Sequence, residues 1–177
     1  MKLNQIEPNR FVIQAMDIWT NKWMLLTSGD FGKKHFNTMT VGWGSFGVMW
    51  SKPFVQVVVR PTRFTYQFMN QYDTFTLCAF PDAYREALMH LGAVSGRNTD
   101  KIAEAGLTPV AAQKVQAPAF AEAELILECR KMYWDDFRPG NFLDPEIEIH
   151  YPKKDYHRVY IGEVLAVYGK KVYLRQK

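Results

Sequence analysis

The stretch from Asn37 to Tyr66, NTMTVGWGSFGVMWSKPFVQVVVRPTRFTY, constrains this chain more than any other. Phe54 to Val59 is an apolar, β-branched run, the composition that suits a pleated, half-buried surface. It leads directly into Arg60-Pro61-Thr62-Arg63-Phe64-Thr65. A second polar cluster, Asn37-Thr38-Met39-Thr40, opens the stretch. Arginine presents a planar fork that matches phosphate oxygens in pairs. Hydroxyls and the amides of a helix start add further donors, and Pro61 fixes the turn between strand and helix. Polar groups gathered at a strand end in this way suit a ligand that is phosphorylated, flat and partly apolar. The same residues also read as two solvated arginines beside a capping threonine.

Gly42, Gly44 and Gly47 match G-x-G-x-x-G, the dinucleotide fingerprint. That motif needs a helix to open at its third glycine, so that the helix N-terminus meets the pyrophosphate. Here the chain continues Val48-Met49-Trp50-Ser51-Lys52-Pro53, which predicts a turn and another strand. The acidic residue expected about 20 positions on, for a ribose hydroxyl, is absent. Arg60 and Arg63 stand in that region. The glycines are expected at a strand bend or bulge.

Strands dominate the pattern. Trp23 to Ser28, Met39 to Gly47, Phe54 to Arg60, Phe75 to Phe80, the alternating run Glu124 to Arg130, and His157 to Tyr168 make six. Thr65 to Gln71 reads as a short helix. A second helix is expected after Asp82 as N-cap, with Leu88 and Leu91 on one face and Gly92 as its stop. A third spans Asp100 to Ala105, ended by Gly106. Trp134 to Pro145 reads as loop. No β-α-β alternation is visible, which points to a closed or partly closed antiparallel barrel with inserted helices.

The length, 177 residues, fits one domain, 1–177, with a sizeable core. No apolar run approaches the ~20 residues of a membrane span, and MKLNQIEPNR lacks the apolar segment of a secretory signal. A cytoplasmic protein without membrane contact is expected. The net charge of +4 is too small, and too concentrated at the tail, for a nucleic-acid surface. Cys78 and Cys129 match no metal or redox spacing and read as buried thiols. The four histidines make no metal-ligand pattern, and no serine sits in a nucleophile elbow. Ser95-Gly96-Arg97-Asn98-Thr99-Asp100-Lys101 is a further polar cluster between two helices. Lys101, in the first turn of a helix, is poorly placed for the dipole unless an anion docks there.

Together these pieces resemble the flavin reductase-like family, the FMN-binding split barrels that include flavoredoxin and the NAD(P)H:flavin oxidoreductases. The matching segments are Asn37-Thr38-Met39-Thr40 with Val41-Gly42-Trp43, Arg60 to Tyr66, Ser95-Gly96-Arg97 with Asp100-Lys101, and His157 with Ile161-Gly162-Glu163-Val164. The resemblance implies a mainly β fold, a six-stranded antiparallel split barrel of Greek-key type, assembled as a homodimer. It implies FMN as cofactor, with Asn37, Met39, Thr40, Val41 and Trp43 lining the ring. Arg60, Arg63 and Thr65 would meet the phosphate, and Ser95, Gly96 and Lys101 would close on it. His157 would be the catalytic residue, near the flavin edge or a transient nicotinamide. The implied activity carries electrons from NADH or NADPH through FMN to a flavin, ferric iron or another small-molecule or protein acceptor. The alternative is a flavoredoxin-like carrier working with a protein partner.

Overall fold

The computed structural model describes residues 3–176. Its strands are β1 (Asn4–Ile6), β2 (Met24–Asp30), β3 (His35–Val41), β4 (Gly44–Met49), β5 (Lys52–Val59), β6 (Thr74–Ala79), β7 (Pro109–Val110), β8 (Ala119–Phe120), β9 (Leu125–Asp136) and β10 (Arg158–Gly169). The helices are α1 (Ala15–Asp17), α2 (Phe64–Gln71), α3 (Arg85–Ala93) and α4 (Lys101–Glu104). One antiparallel sheet runs β3-β2-β6-β9-β10-β5-β4, with β1 added to β10, and β7-β8 form a small separate ribbon. The two ends of that path, β3 and β4, are consecutive in the chain and joined only through Gly42-Trp43. The barrel is therefore split beside that dipeptide. Among the described residues no helix is long and apolar enough to cross a membrane.

Alternation along the strands builds two cores, one on each face of the sheet. Met24 and Leu26 of β2 enter the barrel interior with Val55, Val57, Val59, Phe75, Leu77, Leu127 and Tyr160. Leu25, between them, points the other way into a cluster with Leu88, Leu91, Leu107 and Phe120 under α3 and α4. Each fully buried side chain of this kind contributes about 1.5–3 kcal/mol. Every residue of β2 is buried as a result. Cys129 falls in the first core and Cys78 in the second. Both are free thiols, and burial pushes Cys78 up to about 12 and raises Cys129 as well.

The six expected strands are present, with three changes. The strand expected from Met39 to Gly47 is two strands, broken at Gly42-Trp43. A Cβ on Gly44 would lie 2.4 Å from the Gln56 carbonyl and 2.5 Å from the Trp19 ring, so close approach demands glycine there. β9 runs on to Asp136, six residues past Arg130, because β10 pairs with it along that whole length. The region expected as loop to Pro145 also holds tight 3-10 turns at Pro139–Asn141 and Pro145–His150. Asp82 does not cap α3. It lies in a 3-10 turn, Asp82–Tyr84, and pairs at 3.5 Å with Lys22. Asp100 does cap α4, accepting from the Ala103 amide at 3.2 Å.

Candidate flavin site at the split of the barrel

Two adjoining cavities open where the barrel is split. The larger, about 210 Å³, is lined by Met39 to Trp43 of the β3 end and by Val58, Arg60, Arg63 and His157. The smaller, about 110 Å³, lies between α2, β3 and the segment after α3. Met39 and Arg63 line both. β3 is the terminal strand of the sheet path, so its outer edge leaves backbone donors and acceptors free towards the larger cavity.

The smaller cavity has the character of an anion cradle. β5 ends at Val59, and Arg60-Pro61-Thr62-Arg63 turns the chain, the Arg63 amide donating to the Arg60 carbonyl at 3.0 Å. Arg63 is then the N-cap of α2, and no side chain caps that helix start. Unpaired amides and the positive end of the helix dipole are left for a ligand. Thr65 is buried in the first turn and accepts from Asn37 Nδ2 at 2.7 Å. Gly96 stands against Asn37, where a Cβ would fall 2.2 Å from Asn37 Oδ1. Ser95 and Lys101 complete this wall.

Two of the cations are already engaged with backbone. Arg63 Nη1 donates to the Gly92 carbonyl at 2.7 Å. Lys101 Nζ donates to the carbonyls of Leu91 at 2.8 Å and Val94 at 3.0 Å. Both side chains thus hold the carboxyl end of α3, where cations are favourable. Burial, with Arg63 nearby, brings the Lys101 ammonium down to about 8. Arg60 points elsewhere. It donates to Asp155 at 2.8 Å and to the His150 carbonyl at 2.7 Å, and its guanidinium lies 4.9 Å from the Tyr151 ring centroid. Arg60 therefore borders the larger cavity, while Arg63 reaches the cradle.

The larger cavity has aromatic and thioether walls. Trp43 is 45% exposed at its mouth. Its ring lies 5.1 Å from His157 and 5.3 Å from His150. His157 is buried, and its Nδ1 shares a 2.8 Å hydrogen bond with the Tyr151 hydroxyl. Burial first, then the nearby Arg60 charge, pushes the imidazole down to about 4, so the ring is neutral at pH 7. Its Nε2 has no hydrogen-bond partner among the described residues. The Thr40 hydroxyl is spent on the Leu88 carbonyl at 2.5 Å, so Thr40 meets the cavity chiefly through its backbone.

The aromatics of the 134–156 segment, just before His157, suggest from sequence that it shapes the acceptor side, but the sequence does not place it. Phe142 stacks on Tyr151 behind His157, and Tyr156 packs against both at a tilt. Asp155 anchors this segment to Arg60. The signal was the density of aromatic residues from Tyr133 to Tyr156, which no local periodicity organises.

At its seam the split antiparallel barrel joins a cation-lined cavity to an aromatic-walled one, a pair suited to a small ligand with an anionic end. The chain matches the model of the flavin reductase-like domain over residues 16–175 and belongs to that family. Solved structures with the same fold include an FMN-binding domain of a flavin reductases-like enzyme from Shewanella baltica OS155. That match has TM-score 0.68 and 17% identity over 96% of this chain and 78% of that one. The flavoredoxin of Desulfovibrio vulgaris (Miyazaki F) matches with TM-score 0.67 and 22% identity, over 93% and 77%. An NADH:FAD oxidoreductase of Streptomyces globisporus C-1027 matches with TM-score 0.63 and 19% identity, over 85% and 76%. A comparison with curated protein sequences found no match.

Proposed function

We propose that this chain binds FMN and works as an oxidoreductase, taking electrons from NADH or NADPH and giving them to a flavin, ferric or other acceptor. One observation carries the reading: the anion cradle and the aromatic cavity share Met39 and Arg63. A phosphate on a short chain from a flat ring would occupy both at once. The donor set fits the group. Arg63 and the uncapped start of α2 suit a phosphate dianion, and Met39 and Trp43 offer a polarizable wall to a ring. Bound flavin supplies the two-electron chemistry, and the protein supplies position and electrostatics.

In this reading Arg63, Thr65 and Ser95 hold the phosphate. Lys101 supports the α3 carbonyls that border it. Asn37 orders Thr65, and Gly96 leaves room for Asn37. The β3 edge from Met39 to Val41 offers backbone groups to the ring, and Trp43 covers it. His157, neutral and oriented by Tyr151, can exchange a proton through Nε2 with whatever occupies the cavity. Arg60 holds the 139–156 segment against His157. We take the working form to be a homodimer. Trp43, Trp50 and Trp134, all solvent-exposed, support burial against a second copy.

An absorption spectrum tests this, taken before and after FMN is added and again after anaerobic NADH or NADPH. Bleaching of bound flavin by the nicotinamide alone is the expected result. Bleaching only by a chemical reductant would replace the reductase with a flavoredoxin-like carrier. The absence of bound flavin after FMN is added would refute both.

A further inference from the structure

A cleft of about 380 Å³ adjoins the larger cavity at the end of β3, lined by Trp23, Thr40, Gly42, Leu88, Met89 and Gly92. Thr40 and Gly42 line both spaces, so the two meet across one strand end. From the cleft and its chemistry we infer a subsite for a flat, uncharged aromatic electron acceptor of bicyclic quinone size. The inference rests on the oxidoreductase reading above and names the acceptor class it would serve.

The volume lies within the ~300–1,000 Å³ typical of small-ligand sites. Its walls are an indole, a thioether, a leucine and two stretches of glycine backbone. These surfaces gain most from stacking a planar apolar ring. The Thr40 hydroxyl, its polar side chain, is already committed to the Leu88 carbonyl. Among the described residues no carboxylate lines the cleft. Arg85 packs against the indole, its guanidinium 3.4 Å from the Trp23 ring centroid, but does not line the cleft, so the lining carries no charge. An uncharged lining favours an uncharged ligand, since an ion would lose its hydration there without a partner.

Trp23 is held in place at some expense. Its backbone sits at φ 63°, ψ 165°, a region that side-chain-bearing residues rarely adopt. Its amide donates to the Ile18 carbonyl at 2.7 Å, and Arg85 covers its ring. The fold thus fixes the indole at the cleft wall. Met89 is 57% exposed on α3. It has no part in the core or in the cofactor cavities, and it is free to close over a bound ring.

The redox step balances simply. A quinone takes two electrons and two protons to become a hydroquinone. Hydride from NADH brings both electrons and one proton, and water supplies the other.

The test uses the FMN-loaded protein and its Met89→Glu and Met89→Leu variants. The probes are 2,3-dimethyl-1,4-naphthoquinone, which needs a seat, and ferricyanide, which does not. Met89→Glu should raise the KM for the quinone about tenfold or more, with ferricyanide turnover and FMN affinity unchanged. Met89→Leu should stay within about twofold of the parent. Equilibrium dialysis of the quinone against oxidised protein, without NADH, should show the same loss of affinity. Equal quinone affinity in parent and Met89→Glu would overturn the subsite. Loss of FMN affinity in Met89→Glu would overturn it too, by assigning the cleft to the cofactor. If NADH drives reduction of neither probe, the reductase reading fails, and dialysis alone decides on the cleft.

Discussion

Replacing Arg63 with methionine keeps most of the side-chain volume and removes the charge that both cavities share. The parent guanidinium donates to the Gly92 carbonyl through Nη1, which leaves its other N–H groups for a ligand. A hydrogen bond from a charged donor contributes about 1.5–3 kcal/mol. Each 1.4 kcal/mol is tenfold in affinity. Loss of one phosphate contact should therefore weaken FMN binding about 10- to 150-fold. The Gly92 bond is lost as well, so thermal stability should fall, by about 1 kcal/mol for a partly exposed contact. Quenching of FMN fluorescence gives the dissociation constant, and thermal unfolding without FMN gives the second term. Riboflavin serves as the internal control, since it lacks the phosphate. Arg63→Met should leave riboflavin affinity within about threefold of the parent. An equal loss for FMN and riboflavin would show that the variant collapses the cavity rather than removing a phosphate contact. Unchanged FMN affinity would refute the cradle outright.

Three further outcomes follow from particular contacts. The folded imidazole of His157 titrates near 4, below its ordinary 6.5, so the unfolded chain binds the extra proton between those values. The protein should lose stability as pH falls from about 6.5 to 4, and His157→Phe should flatten that slope in a series of thermal melts. Asp155→Ala removes the carboxylate that meets Arg60 at 2.8 Å and leaves a partly buried guanidinium without its anion. It should cost about 1.5–3 kcal/mol in denaturant unfolding and speed proteolytic nicking between residues 139 and 156. Gly96→Ala would set a methyl 2.2 Å from Asn37 Oδ1 and push Asn37 away from Thr65. FMN affinity should drop at least about fivefold, measured by the same fluorescence titration, because the cradle loses the geometry that fixes the Thr65 hydroxyl.

What the sequence shows and what it hides separate along a physical line. The β-branched run of β5 and the alternation of β9 are local signals, and both strands form over that pattern, although β9 continues six residues beyond it. Breaks are less legible. Val41-Gly42-Trp43-Gly44 reads as continuous strand, yet the close approach of Trp19 to Gly44 belongs to a residue 25 positions away and decides the geometry there. The Arg60–Asp155 pair joins positions 95 apart in the chain, so no local pattern announces it. Lys101 shows the same limit in electrostatic form. A lysine in the first turn of a helix opposes that helix's own dipole, which suggested an anion. The structure supplies another partner. α4 is a single turn with little dipole of its own, and the Lys101 ammonium lies against the carboxyl end of the longer α3. The dipole argument holds, applied to the neighbouring helix. In the proposed site Lys101 acts through the carbonyls at the end of α3 that it anchors, and Lys101→Met should accordingly lower thermal stability even in the absence of FMN.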